Sequence, residues 1–222
     1  MFFAIYEDIT DYQEIRWLCM IRQSLLKIFG EVWPTILISA VIVISMRIVY
    51  LIKNKEKIVF YKEFLALVFI IYVLCLFYVV TFQDVGYSSS NFVPFKEIFR
   101  YNLGSRLFIK NVLGNIILFM PYGYFVSYYL NLKKPISAFF MVLLVSVSVE
   151  VIQLLIGRIF DIDDIILNVI GGLFGFYIYK FLNVINEHLP SILKNPIVYN
   201  IMILLVVAIM ALYMFNLIGV GV

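Results

Sequence analysis

Six apolar runs, each long enough to cross a bilayer, occupy most of this 222-residue chain, at roughly 33–52, 64–82, 107–130, 136–156, 161–182 and 198–219. A hydrocarbon core about 30 Å thick is crossed by about 20 consecutive apolar residues in a helix. The pattern predicts an all-α fold, a polytopic transmembrane helix bundle of about six spans. With 64% hydrophobic and 14% charged residues and a mean hydropathy of +1.03, against roughly 25% charged in soluble domains, no separate soluble domain is expected. Pro34 falls in the first turn of span one and Pro135 opens span four, positions where a missing N–H costs little. Asp161 or Asp163 can cap span five, and Pro190 and Pro196 break the chain before span six.

Ahead of the first span, Ile15, Leu18, Cys19, Leu25, Leu26 and Phe29 recur close to helical spacing, with Trp17 and Trp33 nearby. This predicts an N-terminal amphipathic helix on the membrane interface, or packed across the bundle mouth. The start MFFAIYEDITDYQE is acidic where a cleavable signal peptide would be basic, so none is expected. Cys19 and Cys75 show no pairing pattern and read as free thiols.

Basic loops orient the stack. Lys53, Lys55, Lys57 and Lys62 follow span one, Lys133 and Lys134 follow span three, and Lys180 and Lys194 follow span five. The positive-inside bias puts these loops in the cytoplasm. Both termini and the 83–106 and 157–162 loops then face outward. Lys96, Arg100, Arg106 and Lys110 run against the bias. Either an anionic partner such as a lipid phosphate balances them, or Asp84, Glu97 and the aspartates at 161–164 do.

The polar residues gather in one place. Between two apolar runs, residues 146–175 carry Glu150, Gln153, Arg158, Asp161, Asp163, Asp164 and Asn168. A charge at the centre of a spanning helix costs about 2.5–3.5 kcal/mol on the insertion scale. Ser146, Glu150 and Gln153 share one helical face, and Asp164, Asn168, Gly171 and Gly175 share another. Gly171 and Gly175 form a small-xxx-small pair that admits a close neighbour. On span three, Asn111 and Asn115 lie i, i+4 beside Gly114, which predicts that Asn115, Glu150 and Asn168 meet across three helices. The plainer alternative is interhelical glue, worth about 0.6 kcal/mol per hydrogen bond, with Arg158, Asp161 and Asp163 forming a loop salt bridge and a helix cap.

Other chemistries find little footing. The single histidine, His188, lies far along the chain from this cluster, which removes Ser–His nucleophile logic and histidine-rich zinc sites. Asp161, Asp163 and Asp164 supply oxygens of the kind that hold Mg²⁺ or Ca²⁺, but without the longer spacing of a metal-phosphate motif. No cofactor is assigned beyond that weak divalent-cation site. No glycine-rich phosphate loop follows a strand, and nucleic-acid binding has no support.

Four spaced motifs resemble those of the VanZ-like family: Asn91-Phe92-Val93-Pro94-Phe95, NVLGNIILFMPYG at 111–123, SVEVIQ at 148–153, and GRIFDIDDIILNVIGGLFG at 157–175. They occur in the family's order within residues 64–183. The rest divides into a segment 1–31, an added span and basic loop 32–63, and a C-terminal loop and span 184–222. The resemblance implies a multi-pass protein of the bacterial cell membrane, linked to resistance to teicoplanin, a lipid-bearing glycopeptide that acts outside the membrane. The loop charges independently put the motif residues on that side.

Three functions compete. In the first, an outward-facing pocket of Asn91, Phe95, Arg100, Asn111, Asn115, Glu150, Gln153, Arg158, Asp161, Asp164 and Asn168 binds a lipid-like amphiphile, such as a membrane lipid, a lipid-linked wall precursor or a lipoglycopeptide. Arg158 or Arg100 would engage an anionic head, with Asn91 and Phe95 as a lid. In the second, an intramembrane enzyme modifies a lipid-linked phosphate or glycan, with Glu150 as general acid or base and the aspartates holding a metal. In the third, a transporter or scramblase uses broken helices and midplane polar groups. Against the last, the polar residues cluster on one side and no inverted repeat is visible.

Overall fold

The computed structural model describes residues 2–54, 59–82, 90–102 and 104–219. Seven α-helices are found among them: α1 Phe2–Asn54, α2 Phe60–Phe82, the single turn α3 Arg106–Phe108, α4 Gly114–Tyr129, α5 Pro135–Leu155, α6 Ile162–His188 and α7 Pro196–Gly219. A π turn, Ile109–Leu113, joins α3 to α4, so 106–129 is one helical run. Backbone groups in hydrocarbon have no water to bond, and helices satisfy them within the segment. Among the described residues there is accordingly no strand, only an isolated parallel bridge between Asn91 and Asp161.

Within α1, α2, α5 and α6, the segments Gly30–Asn54, Phe60–Val80, Pro135–Leu155 and Ile162–His188 are long and apolar enough to cross a membrane. Half of the α6 window is buried inside the protein, against 6% of the α1 window. The fold is therefore a helix bundle built around α6. Leu76 and Val80 of α2, Phe119 of α4, Val142 of α5, and Ile165 and Val169 of α6 form its core.

Glycines set the closest approach, where α4 crosses α6. A Cβ on Gly171 would overlap the Ile116 carbonyl, one on Gly175 the Met120 carbonyl, and one on Gly123 the Gly172 carbonyl. The two backbones touch because these side chains are absent. The Tyr72 hydroxyl of α2 donates to the Leu118 carbonyl at 2.7 Å, tying α2 to the same helix.

Two local features differ from the sequence reading. Pro34 does not open a helix but lies inside α1, which runs unbroken through residue 31. Proline withholds one N–H, leaving the Gly30 carbonyl without its helical donor, and no turn residues gather nearby to end the helix. The side chains of Ile15, Trp17, Leu18, Cys19, Leu25 and Phe29, all of Lys55, Lys57 and Asp84, and the Arg106 side chain lie outside the described residues. The second difference is the π turn, which contains Asn111 and ends before Asn115, and changes what they face.

Candidate functional site

The end of α5 creates the site by reversing the chain sharply. Gly157 takes φ +81°, its N–H donates to Leu154 O at 3.1 Å, and Arg158 N–H donates to Gln153 O at 2.9 Å. This is a Schellman turn, whose left-handed position favours glycine. The turn carries Arg158 to the end of α2, where its guanidinium donates to the Val80 carbonyl. Gln153 Nε2 donates to the same carbonyl at 3.2 Å. A cation and an amide thus bond a carbonyl in the last turn of α2, where helical donors run out.

The returning chain then meets α5 again. Asp161 N–H donates to Glu150 Oε2 at 2.9 Å, and Glu150 is only 1% exposed. Asp161 caps α6, its Oδ1 accepting from Asp163 N–H at 2.9 Å. Burial pushes the Asp161 carboxyl above its ordinary range, while the Asp163 N–H and the Asn91 amide pull it back.

Residues 90–98 are clamped over this turn. Asn91 N–H donates to Phe160 O at 2.8 Å and Ile162 N–H to Asn91 O at 3.0 Å. The Asn91 side chain donates to Asp161 Oδ1 at 3.0 Å and accepts from Val93 N–H at 3.1 Å. Asp163, 1% exposed, accepts from three backbone amides, Phe95 at 2.5 Å, Glu97 at 2.7 Å and Ile98 at 3.2 Å. It holds Phe95 at φ +66°, in the left-handed region. Above the clamp Phe92 is 68% and Phe99 82% exposed. Phe92 stacks on Phe160 at 5.2 Å and Phe95 lies 6.2 Å from Phe99.

Beneath it lies a polar layer, buried at Ser146, Glu150 and Asn168 and half-buried at Asn115 and Asp164. Asn115 Nδ2 donates to Asp164 Oδ1 at 2.5 Å. Asn168, 3% exposed, donates to Ser146 Oγ at 3.0 Å, and its own Oδ1 is buried with no hydrogen-bond partner among the described residues. Hydrogen bonds account for one oxygen each of Glu150 and Asp164. The one buried side-chain polar atom left without a partner among the described residues is therefore an acceptor, Asn168 Oδ1.

Asn115, Ser146, Glu150, Asp161, Asp164 and Asn168 thus line a single junction of α4, α5 and α6. Asn115 pairs with Asp164 rather than with Glu150, which accepts from the Asp161 amide. Asn111 is turned elsewhere and donates to the Tyr101 hydroxyl at 2.8 Å. The π turn accommodates an extra residue, so i, i+4 positions across it no longer stack. Arg100 pairs at 3.2 Å with Glu97 on the surface, away from Glu150. His188 closes α6 with Nδ1 on the Val184 carbonyl, far from the junction. Among the described residues no group of three or more His, Cys, Asp or Glu could hold a metal ion, and Asp163 is already taken up by backbone amides.

Sequence reasoning missed the clamp role of Asp163, the Tyr101 partner of Asn111, and the Val80 carbonyl. An aspartate two residues after an N-cap does signal an acceptor near free amides, but it does not say whose.

A family model described as VanZ/LLP1 matches residues 69–183, more than half of the chain. The chain belongs to the VanZ/LLP1 family. The VanZ/LLP1 match spans α4, α5 and the clamped loop, with most of α2 and α6, and leaves α1 and α7 outside. No curated protein and no solved structure matches the chain. With its family and its long apolar helices, the chain is a VanZ/LLP1 membrane protein.

Proposed function

We propose that the α4–α5–α6 junction binds the polar head of a lipid-like amphiphile at the extracytoplasmic face of the bacterial cell membrane, and that this binding underlies a role in glycopeptide resistance. The observation that carries the reading is the buried, unpartnered Asn168 Oδ1 beside the Glu150 and Asp164 carboxyls, beneath an exposed aromatic rim. A buried acceptor without a donor is costly, and a ligand offering amine or hydroxyl donors relieves it. The rim of Phe92, Phe95 and Phe99 offers the apolar half of the contact. Arg158 and Arg100 are engaged with Val80 and Glu97, so the favoured head is donor-rich rather than anionic. Lipoglycopeptides present such donors beside an acyl chain, and lipid-linked wall precursors present them on the sugar and peptide beyond their prenyl diphosphate.

The test is saturable binding of teicoplanin, or of a lipid-linked wall precursor, to the full chain in nanodiscs. Asp164→Asn and Glu150→Gln, which replace acceptors with donors, are expected to weaken binding at least tenfold. Binding that is absent or non-saturable in the wild type, or unchanged in both variants, overturns the reading.

A further inference from the structure

At the opposite end of the bundle from Glu150, helices α1, α2, α4 and α6 surround a cavity of about 890 Å³. Asp164 and Tyr179 of α6 are separated by roughly 22 Å at 1.5 Å rise per residue, so this space is separate from the junction. Its wall is apolar, with Val43, Ile44 and Ile48 from α1 and Ala66 and Leu67 from α2. Its rim is polar. Arg47 donates twice to Glu63, from Nε and from one terminal nitrogen, each at 2.9 Å, and Tyr179 donates to Asn131 Oδ1 at 2.8 Å. Lys62 completes the rim and is exposed.

We propose that this cavity binds one anionic glycerophospholipid of the surrounding bilayer, with its phosphate at Lys62 and an acyl chain along the α1–α2 wall. Three observations commit the site to that occupant. First, Ile44 and Ile48 line the cavity yet remain about half exposed, on a helix long and apolar enough to span a membrane, so the space opens to lipid. Second, among the described residues this end of the bundle carries Arg47, Lys53, Lys62, Lys133, Lys134, Lys180 and Lys194, against Glu63 and Glu187. A basic pocket between helices facing an anionic leaflet selects phosphate head groups. Third, the volume lies within the range of about 300–1,000 Å³ that holds small ligands, enough for a head group and the upper part of one chain. Because Glu63 already neutralises Arg47, the net attraction for phosphate falls on Lys62. The site is independent of the acceptor-rich junction.

The experiment uses the full chain in phosphatidylcholine nanodiscs containing a phosphatidylglycerol with a photoreactive diazirine in its acyl chain. Crosslinks mapped by mass spectrometry are expected on residues 43–51 and 62–67, competed by unlabelled phosphatidylglycerol and not by added phosphatidylcholine. Lys62→Gln is expected to lower the labelling about fivefold, the equivalent of about 1 kcal/mol per basic residue at an anionic surface, and Lys62→Arg to retain it. Ala66→Trp, which fills the wall, is expected to abolish labelling there while teicoplanin binding at the junction persists. Labelling spread evenly over all helices, competition by phosphatidylcholine, or full labelling of Lys62→Gln overturns the proposal.

Discussion

Replacing Asp163 with alanine removes the one acceptor shared by the amides of Phe95, Glu97 and Ile98. Hydrogen bonds to a charged acceptor contribute about 1.5–3 kcal/mol each, so three set an upper bound near 5–9 kcal/mol. The realised loss is smaller, because the freed amides can turn to water and Asn91 still anchors the start of the loop. A local opening cost lowered by about 2–4 kcal/mol is expected, which is about 30- to 800-fold in amide exchange. Hydrogen exchange of the full chain in nanodiscs reads this directly. Amides 95, 97 and 98 should lose protection while those of Leu167 to Val169, in the middle of α6, keep theirs. Asp163→Asn, with one carbonyl oxygen left, should fall between. If protection at 95, 97 and 98 is unchanged in Asp163→Ala, the carboxylate does not hold the loop and the clamp described here is wrong. If α6 loses protection equally, the residue supports the whole bundle rather than the clamp.

Two further outcomes follow from the same geometry. Gly175→Leu should lower the thermal transition of the purified protein strongly, since its Cβ already meets the α4 backbone and overpacking costs about 1–3 kcal/mol even where side chains can yield. A transition unchanged within a degree or two would show that the helices have slack. At Asp161 the folded protein raises the carboxyl above the ordinary 3.8. The fold therefore holds that proton more tightly than the unfolded chain does, and stability falls as pH rises from below 3.8 through the raised value. Asp161→Asn keeps an acceptor at the cap and should flatten this part of a thermal-stability profile taken across the acid range. A profile identical to wild type would refute the assigned shift.

How much of this was legible in the sequence depends on the range of the interaction. Hydropathy places the helices because burial in lipid acts on each run by itself, and four of the six runs fall in helices that are long and apolar enough to cross a membrane among the described residues. The Gly171/Gly175 face could be read for the same reason, since helical periodicity places both on one stripe and small residues invite contact. The buried face of Ser146, Glu150 and Gln153 was equally readable, and all three are buried. Their partners were not. Glu150 bonds a backbone amide eleven residues on, Gln153 a carbonyl 73 residues back, and Asn168 a serine 22 residues away. Nothing local specifies those distances. The π turn was hidden for another reason: periodicity assumes a constant 3.6-residue step, so Asn111 and Asn115 looked equivalent when one faces Tyr101 and the other Asp164. Arg158 and Arg100 read as ligands for an anion because charge is visible in a sequence. Glu97, three residues before Arg100, was readable as its alternative partner and is the one it takes; a helix end needing a donor is visible only once the chain is folded.

The bridge between Asn91 and Asp161 has a consequence for biogenesis. It joins residues 70 positions apart, and closing such a loop costs about 4 kcal/mol in chain entropy by the logarithmic law. During synthesis the 91–98 segment is made before α4, α5 and the start of α6, and its acceptors on Asp161 and Asp163 do not yet exist. The aromatic loop must therefore wait at the membrane surface, undocked, until the two helices behind it have been inserted and turned. Quality control that senses exposed Phe92 and Phe99 would then report on α5–α6 insertion, and the junction's acceptors would be enclosed only in chains that had completed it.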